Sequence, residues 1–247
     1  AQGDTRRRGL DRILDLGGIT FRARNNAIWP GAAAVVVNIL HICKGNYIGQ
    51  RVLDEKLVNY ISSLLDDMPN FGKPHALAAN FNKSFQGSIV LGLGFMVNPG
   101  DAKALIVKDP RNAEVLFPYL NGQDLNSHPE QHPSRWIINF FDWSLERAER
   151  YPDCMKVVQE KIYPERMKYK PTNAWNIHVK KDWWLYGSWR KGLDEAITQL
   201  DRAMVMTRVT KYICYSFVKP NIVFADQTVV FSYDKYGEFS LLSSTIH

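Results

Sequence analysis

The chain has 247 residues, is 45% hydrophobic and carries a formal charge of +6, with a pI near 9.1. This length suits one large domain or two small ones, and this hydrophobic share excludes an intrinsically disordered chain. The three cysteines are widely spaced and include no Cys-x-x-Cys pair, so the sequence indicates neither a disulfide framework nor a zinc knuckle and favours a reducing, intracellular compartment.

The first 66 residues predict a helix followed by paired strands. An apolar face predicts a helix over residues 5–16, and the segment 19–24 is expected to be extended. The β-branched run at residues 33–42 predicts a buried strand, and residues 47–53 predict an edge strand that returns beside it. This order is typical of the last helix and strands of an α/β sheet, so we expect a domain over residues 1–66.

A stretch rich in proline and glycine at residues 68–74 predicts a linker, followed by a second domain over residues 75–247. In this second part the patterns predict strands at residues 84–95, 135–141, 203–207, 213–219 and 228–233 and helices at residues 101–107, 152–162 and 193–200. The overall expectation is an α+β fold: the end of an α/β sheet, followed by a domain with a mixed or antiparallel sheet.

Neither terminus has the features of a complete chain. There is no initiating methionine, and the C-terminus falls in an apolar run at residues 239–246. The N-terminus lacks the apolar core of a signal peptide, and no apolar run reaches the ~20 residues of a membrane span. We therefore interpret the sequence as a piece of a longer protein and expect no membrane partner.

The positive charge is concentrated in one stretch. Residues 161–191 hold eight Lys or Arg residues against two acidic ones, together with four of the seven tryptophans. Cations neutralise phosphates and aromatic rings stack on exposed bases, which favours a nucleic acid as partner. The alternative is that Trp183, Trp184 and Trp189 anchor the core while the lysines only solubilise the surface. Composition alone leaves both interpretations open.

Other patterns of catalytic chemistry are incomplete. His128 and His132 are four residues apart, but a proline follows each, so an exposed loop is a better interpretation than a helical metal-binding pair. Gly92-x-Gly94 lacks the third glycine and the helix of a dinucleotide-binding loop, and predicts a bulged strand or a close backbone approach. The sequence therefore predicts no self-contained active site and no metal site.

Several blocks, in a specific order, carry a resemblance to a known family. The first are Ala1-Gln2-Gly3-Asp4-Thr5-Arg6 and Trp29-Pro30-Gly31. The later ones are Ser84-Phe85-Gln86-Gly87-Ser88, Leu91-Gly92-x-Gly94-Phe95, Pro118-Tyr119-Leu120-Asn121-Gly122-x-Asp124-Leu125-Asn126, Trp136-Ile137-Ile138-Asn139-Phe140 and Trp183-Trp184 with Arg190. Over nearly the whole chain they resemble the C-terminal part of large adenine-N6 DNA methyltransferases of the MmeI-like type IIG and phage-defence (DISARM-type) groups. That part comprises the end of the catalytic domain and the target-recognition domain.

The resemblance implies S-adenosylmethionine as the methyl donor of the parent enzyme and a flipped adenine as the acceptor. It also implies a glycine-containing cofactor loop and an Asn-Pro-Pro-Phe/Tyr motif, and neither occurs here: Asn98-Pro99-Gly100 lacks the second proline and the aromatic residue. We therefore expect no catalytic residue and no bound cofactor in this chain, which should not methylate DNA alone.

The partner that the resemblance implies is duplex DNA, recognised at a specific site in a restriction-modification or phage-defence system of the bacterial cytoplasm. A second hypothesis is a structural or protein-interaction domain that docks other subunits of such a system. An independent enzyme is disfavoured by the missing motifs.

One residue is assigned through the family. Trp29 holds the place at which the family has an aromatic residue stacked against the flipped base, and such stacking partly offsets the cost of unstacking. The alternative is that Trp29 packs on the following strand, at residues 35–37.

The remaining candidates follow from side-chain type alone. Phosphate contacts set the register on DNA, and base-edge contacts in the major groove set the sequence. The candidates for phosphate contact are Lys168, Lys170, Lys180, Lys181, Arg190, Lys191, Arg208 and Lys211. The candidates for reading adenine edges are Gln86, Asn121, Gln123, Asn126 and Asn173, with Arg190 or Arg208 for guanine.

Overall fold

The computed structural model describes residues 6–31, 35–68, 77–210 and 212–244. The chain divides into two compact units, Ala1–His75 and Ala76–His247. Apart from Met68, the predicted linker at residues 68–74 lies outside the described residues.

The N-terminal unit contains the predicted helix and a four-stranded mixed sheet. A π-helical turn at Arg7–Asp11 leads into helix α1 (Arg12–Asp15). The strands of the sheet are β1 (Gly18–Ile28), β2 (Val36–Lys44), β3 (Arg51–Leu53) and β4 (Lys56–Val58). Their order is β2-β1-β3-β4, with β1 antiparallel to β2 and parallel to β3.

Two expectations for this unit were wrong. The strand expected to be buried, β2, lies at the sheet edge and is mostly exposed, while the unit's small core is formed by Ala23, Ile61 and Leu65. The return strand expected at the edge is only the three residues of β3, and it lies inside the sheet between β1 and β4. A β-branched run identifies a strand, but its burial depends on what covers it.

The C-terminal unit has two four-stranded sheets. Its strands are β5 (Ser84–Gln86), β6 (Met96–Val97), β7 (Leu116–Leu120), β8 (Arg135–Ile138), β9 (Ala203–Thr207), β10 (Ser216–Val218), β11 (Val223–Phe224) and β12 (Thr228–Phe231). The order β10-β9-β12-β5 is antiparallel throughout. The order β11-β7-β8-β6 is mixed, since β11 runs parallel to β7. This confirms the predicted α+β class.

Helices cover the two sheets of this unit. They are α2 (Pro99–Lys108), α3 (Gly122–Ser127), α4 (Leu145–Ala148), α5 (Pro152–Lys161), α6 (Tyr163–Met167), α7 (Ala174–Lys181), α8 (Lys191–Ile197) and α9 (Tyr236–Leu242). Short 3₁₀ turns lie at Ala78–Asn80, Leu93–Phe95 and Pro110–Glu114.

Two hydrophobic clusters form the core of this unit, and the second combines Leu120 and Phe224 of the mixed sheet with Val205 and Val230 of the antiparallel sheet. Met155 and Val158 of α5, with Ile162 directly after it, form one apolar stripe that is buried in the core beside the mixed sheet. The antiparallel sheet packs against α8 through Leu193 and Ile197. Burial of apolar surface of this kind stabilises a fold by roughly 25 cal/mol per Å².

The segment at residues 84–90 joins the two sheets. The prediction of a strand over 84–95 was too long: β5 covers three residues, and Ser88 and Ile89 then form isolated bridges to Ala225 and Ser188. At Gly87 the segment passes directly over the backbone of Ala225. A Cβ atom added to Gly87 would lie 2.0 Å from the Ala225 carbonyl oxygen, so only glycine fits at this position.

Replacement of Gly87 by alanine is therefore expected to lower the free energy of unfolding by about 2 kcal/mol, as overpacking of a rigid site does. The atoms in the way belong to the backbone of Phe224 and Ala225, which cannot rotate aside. The measurement is chemical denaturation. Gly100→Ala in α2 is the control, since no atom lies within 4 Å of its added Cβ, and an equal loss in both variants would contradict the prediction.

Candidate nucleic-acid interface

Two adjoining clefts open on either side of an exposed leucine in the C-terminal unit. They have volumes of about 790 and 340 Å³ and share Leu93, Met96 and Lys161. We call them together the Leu93 groove. The larger cleft reaches Asp226, and the smaller one is also lined by Arg135.

The charges in the Leu93 groove are of both signs. Lys161 and Arg135 make no ion pair within the described ranges, and the carboxylates of Asp101, Glu165 and Asp226 lie on the same walls. Cations attract phosphates, whereas a carboxylate repels them and accepts hydrogen bonds from amino groups such as that of cytosine. The groove therefore offers partners to both the backbone and the base edges of a nucleic acid.

A buried tyrosine lies between these charges. Burial and, to a smaller extent, the nearby Asp226 raise the pKa of Tyr119 to about 12, while Arg135 acts in the opposite direction. The phenol is therefore neutral at physiological pH and can donate a hydrogen bond into the groove.

A third cleft, of about 350 Å³, gathers polar side chains from three distant segments. It is lined by Gln123 and Asn126 of α3, by Arg208 after β9, and by Gln227. We call it the amide cleft. Three of the sequence-predicted residues, Gln123, Asn126 and Arg208, thus come together, while Gln227 was missed because an isolated glutamine in a turn carries no signal.

Internal hydrogen bonds orient the amides of this cleft. The Thr207 hydroxyl donates to Asn126 Oδ1 at 2.9 Å, and the Gly122 N–H donates to Gln227 Oε1 at 3.3 Å. Each amide oxygen keeps a second lone pair, so both amides can still accept a hydrogen bond from a ligand as well as donate one to it. Gln123 is exposed at the mouth of the cleft.

A single turn connects the Leu93 groove with the amide cleft. Asp226 lines the first and Gln227 the second, and they are consecutive residues between β11 and β12. The predicted residue Gln86 is half-buried beside this turn and donates through Nε2 to the Asp226 carbonyl at 3.0 Å. The structure thus places Gln86 as a support of the turn.

The basic stretch, residues 161–191, is connected to the Leu93 groove by the buried side chain of Arg166. Arg166 of α6 is only 1% exposed and donates to the carbonyls of Leu91, at 2.7 Å, and of Val179 in α7, at 3.2 Å. It thereby holds α6 and α7 against the segment that forms the groove wall. Four of the predicted phosphate contacts lie in α7 or in the connection before it, and Lys180 is half-buried while the other three are exposed: Lys168, Lys170 and Lys181.

The other cations predicted to contact phosphates have different surroundings. Arg190 donates through Nε to the Gly87 carbonyl at 3.4 Å, and Lys191 forms an ion pair with Asp142 at 3.5 Å. Lys211 lies outside the described residues. The side chains of Arg190 and Lys191 therefore both have partners within the protein.

Two predicted base readers are helix caps. Asn121 is buried, and its Oδ1 accepts from the N–H of Asp124 at 2.9 Å at the start of α3. Asn173 is exposed, and its Oδ1 accepts from the N–H of Asn176 at 2.8 Å at the start of α7. These bonds satisfy helix N–H groups that otherwise lack a partner.

The tryptophans of the basic stretch pack mainly inward. Trp183, Trp184 and Trp189 are partly buried against the core, and the last two donate to the Trp143 carbonyl and to the Asp194 carboxylate. Burial raises the pKa of Asp194, and the indole hydrogen bond opposes that shift. The core interpretation of these rings therefore fits the structure, and Trp175, which is 41% exposed, is the most open of the four.

In the N-terminal unit, Trp29 is 50% exposed. Its backbone N–H donates to the Val35 carbonyl at 3.1 Å, and its indole ring lies over Gly31. The ring is thus accessible, and its stacking on a flipped base remains a prediction.

Within the described ranges, no cluster of three His, Cys, Asp or Glu side chains could hold a metal ion. His128 and His132 lie in an exposed loop. No helix among the described residues has the length and apolarity required to cross a bilayer.

These observations define an α+β protein with mixed and antiparallel sheets and adjoining clefts lined by amides and cations. Among solved structures, the chain is similar to the Type IIL restriction-modification enzyme MmeI, whose structure was determined in complex with DNA. The TM-score is 0.68 at 15% sequence identity, and the match covers 99% of this chain and 33% of that one. The chain thus spans about a third of the length of the protein it matches, and the two share their fold. No model of a known protein family and no curated protein matches the chain.

Proposed function

We propose that this chain binds duplex DNA as the target-recognition part of an S-adenosylmethionine-dependent adenine-N6 DNA methyltransferase of a restriction-modification or phage-defence system. The observation that carries the proposal is the amide cleft. It brings Gln123, Asn126, Arg208 and Gln227 together from segments up to about a hundred residues apart along the chain. The likeness in fold to MmeI, which was solved with DNA, supports the same reading.

The chemistry of the cleft suits the edges of base pairs. Asn and Gln pair with the N6 and N7 atoms of adenine, and Arg pairs with O6 and N7 of guanine. The amides of Asn126 and Gln227, oriented by one hydrogen bond each, and the exposed guanidinium of Arg208 supply such groups within one cleft. The lysines of α7 and of the connection before it supply phosphate contacts, which fix orientation without reading sequence.

Methyl transfer belongs, in this proposal, to the whole enzyme. The glycine turn at residues 92–94 does not fit a cofactor loop, because Gly92 and Gly94 are covered by the Ile162 and Lys161 side chains and the turn leads into a strand. A loop that cradles a cofactor needs exposed backbone N–H groups at the start of a helix. In this proposal the S-adenosylmethionine site is therefore not formed by this turn but by another part of the whole enzyme.

Arg208→Glu tests the proposal. We expect the variant to bind a random-sequence duplex about tenfold more weakly than the unmodified chain in a mobility-shift titration at about 50 mM salt, because one base or phosphate contact is lost and the new charge repels the backbone. Arg150→Glu changes the net charge equally and lines none of the three clefts, so it is expected to bind like the unmodified chain. Absence of DNA binding by the unmodified chain at low salt would reject the proposed function.

A further inference from the structure

Leu93 lies at the tip of a turn, with its side chain 75% exposed. Single exposed apolar side chains are common on protein surfaces and need no function. The backbone of this turn is unusual, however, since Leu91 has a φ of +54° and Gly92 a φ of +124°. A non-glycine residue in the left-handed region persists only where its surroundings hold it there.

Several contacts hold this turn rigidly. Arg166 donates to the Leu91 carbonyl at 2.7 Å from below. On the other side, Gly94 is packed so closely that an added Cβ would lie 2.6 Å from the Cβ of Lys161. Phe95 is fully buried, with its ring edge-on to Tyr186 at 5.2 Å. The exposed side chain of Leu93 is therefore presented by a fixed backbone.

Two cavities meet at this leucine. Leu93, Met96 and Lys161 line both halves of the Leu93 groove, the cleft of about 790 Å³ and the one of about 340 Å³. Lys161 and, in the smaller half, Arg135 are cations, and Asp101, Glu165 and Asp226 place carboxylates on the same walls. A rigidly held apolar side chain can enter between two stacked bases while cations beside it hold the flanking phosphates.

We propose that Leu93 is a wedge that enters a base-pair step of the bound DNA duplex and unstacks it. This proposal rests on the proposed DNA-binding function. The two neighbouring base pairs lie over the two halves of the groove, and Lys161 and Arg135 hold phosphates of that step. Asp226 and Glu165 disfavour phosphates within the larger half and leave it to base edges.

The experiment uses the full 247-residue chain and a duplex that the chain itself enriches from a random-sequence pool. Permanganate, which oxidises thymines that are not stacked, then maps distortion of that duplex in versions that place thymine at each position in turn. We expect one reactive step with the unmodified chain and with Leu93→Met. We expect loss of that reactivity and about tenfold weaker binding with Leu93→Ala, because an apolar side chain that is buried in the complex is truncated.

Leu241→Ala in α9 is the matched control, since this leucine is also exposed and lines neither half of the groove. It should leave both affinity and reactivity unchanged. Reactivity that persists in Leu93→Ala, or a bound duplex with no reactive step in the unmodified chain, would overturn the wedge while leaving DNA binding intact. Failure to enrich or bind any duplex would reject the proposed function itself.

Discussion

Replacement of Arg166 by methionine is expected to lower the free energy of unfolding of the C-terminal unit by about 3 kcal/mol, a large value for one substitution. Methionine fills a similar volume but donates no hydrogen bond. The carbonyls of Leu91 and Val179, and more weakly those of Val90 and Leu185, would then lose a buried donor. A buried acceptor without a partner costs its full desolvation energy.

The charge of Arg166 strengthens this expectation. Burial lowers the pKa of the guanidinium, while Tyr169 and Glu165 partly oppose that shift, but arginine keeps its proton in proteins. Its compensation comes from carbonyl dipoles, and within the described residues no carboxylate forms an ion pair with it. Removal of this residue therefore disconnects α6 and α7 from the Leu91 turn.

Denaturant unfolding followed by far-ultraviolet circular dichroism measures the effect. Lys168→Met removes a cation two residues away whose side chain is exposed, and it should change stability by less than about 0.5 kcal/mol. A loss below about 1 kcal/mol for Arg166→Met would mean that the carbonyls find other partners. It would contradict the conclusion that the hydrogen bonds of Arg166 hold α6 and α7 to the Leu91 turn.

Replacement of the four lysines of α7 and of the connection that precedes it by glutamine is expected to weaken binding of a random-sequence duplex about a hundredfold at low salt. Each phosphate contact releases counterions, so four lost contacts should reduce the slope of log affinity against log salt by about 3.6. The lysines concerned are Lys168, Lys170, Lys180 and Lys181. The substitution removes charge at the surface and leaves Arg166 in place, so the fold should be retained.

The control removes the same number of charges elsewhere on the unit. It carries glutamine at four exposed lysines outside the basic stretch, Lys103, Lys156, Lys219 and Lys235. If binding depends only on net charge, both variants will lose affinity and slope equally, and the assignment of the basic stretch to phosphate contact will be wrong. A loss confined to the first variant supports it.

Local patterns predicted several elements of the fold well. The strand expected at residues 203–207 has the same bounds as β9, and the helix expected from Pro152 carries its apolar stripe into the core. In the helix the spacing of the apolar residues already encodes the buried face, whereas β9 was identified as a short apolar run and is buried on both faces. The strand at residues 33–42 shows the limit of that reasoning, because β-branched residues identify extended backbone whether or not another layer covers it.

The candidate site could be predicted only in part. Gln123, Asn126 and Arg208 were chosen by side-chain type and do share a cleft, whereas Asn121, chosen on the same grounds, is buried as a helix cap. The two kinds of asparagine look alike in the sequence. Arg135 lines the Leu93 groove but was not predicted as a site residue, because it lies outside the basic stretch.

The sequence by itself determined the α+β class, the positions of the main helices and strands, and the concentration of the whole formal charge in residues 161–191. Only the tertiary structure decided the burial and the contacts of each of those cations. Arg166 is buried and donates hydrogen bonds to backbone carbonyls, Lys161 lines the Leu93 groove, Lys180 is half-buried and Lys181 is exposed. The physical reason is that desolvation depends on neighbours brought from distant segments, such as Leu91 against Arg166, and no local pattern records those neighbours.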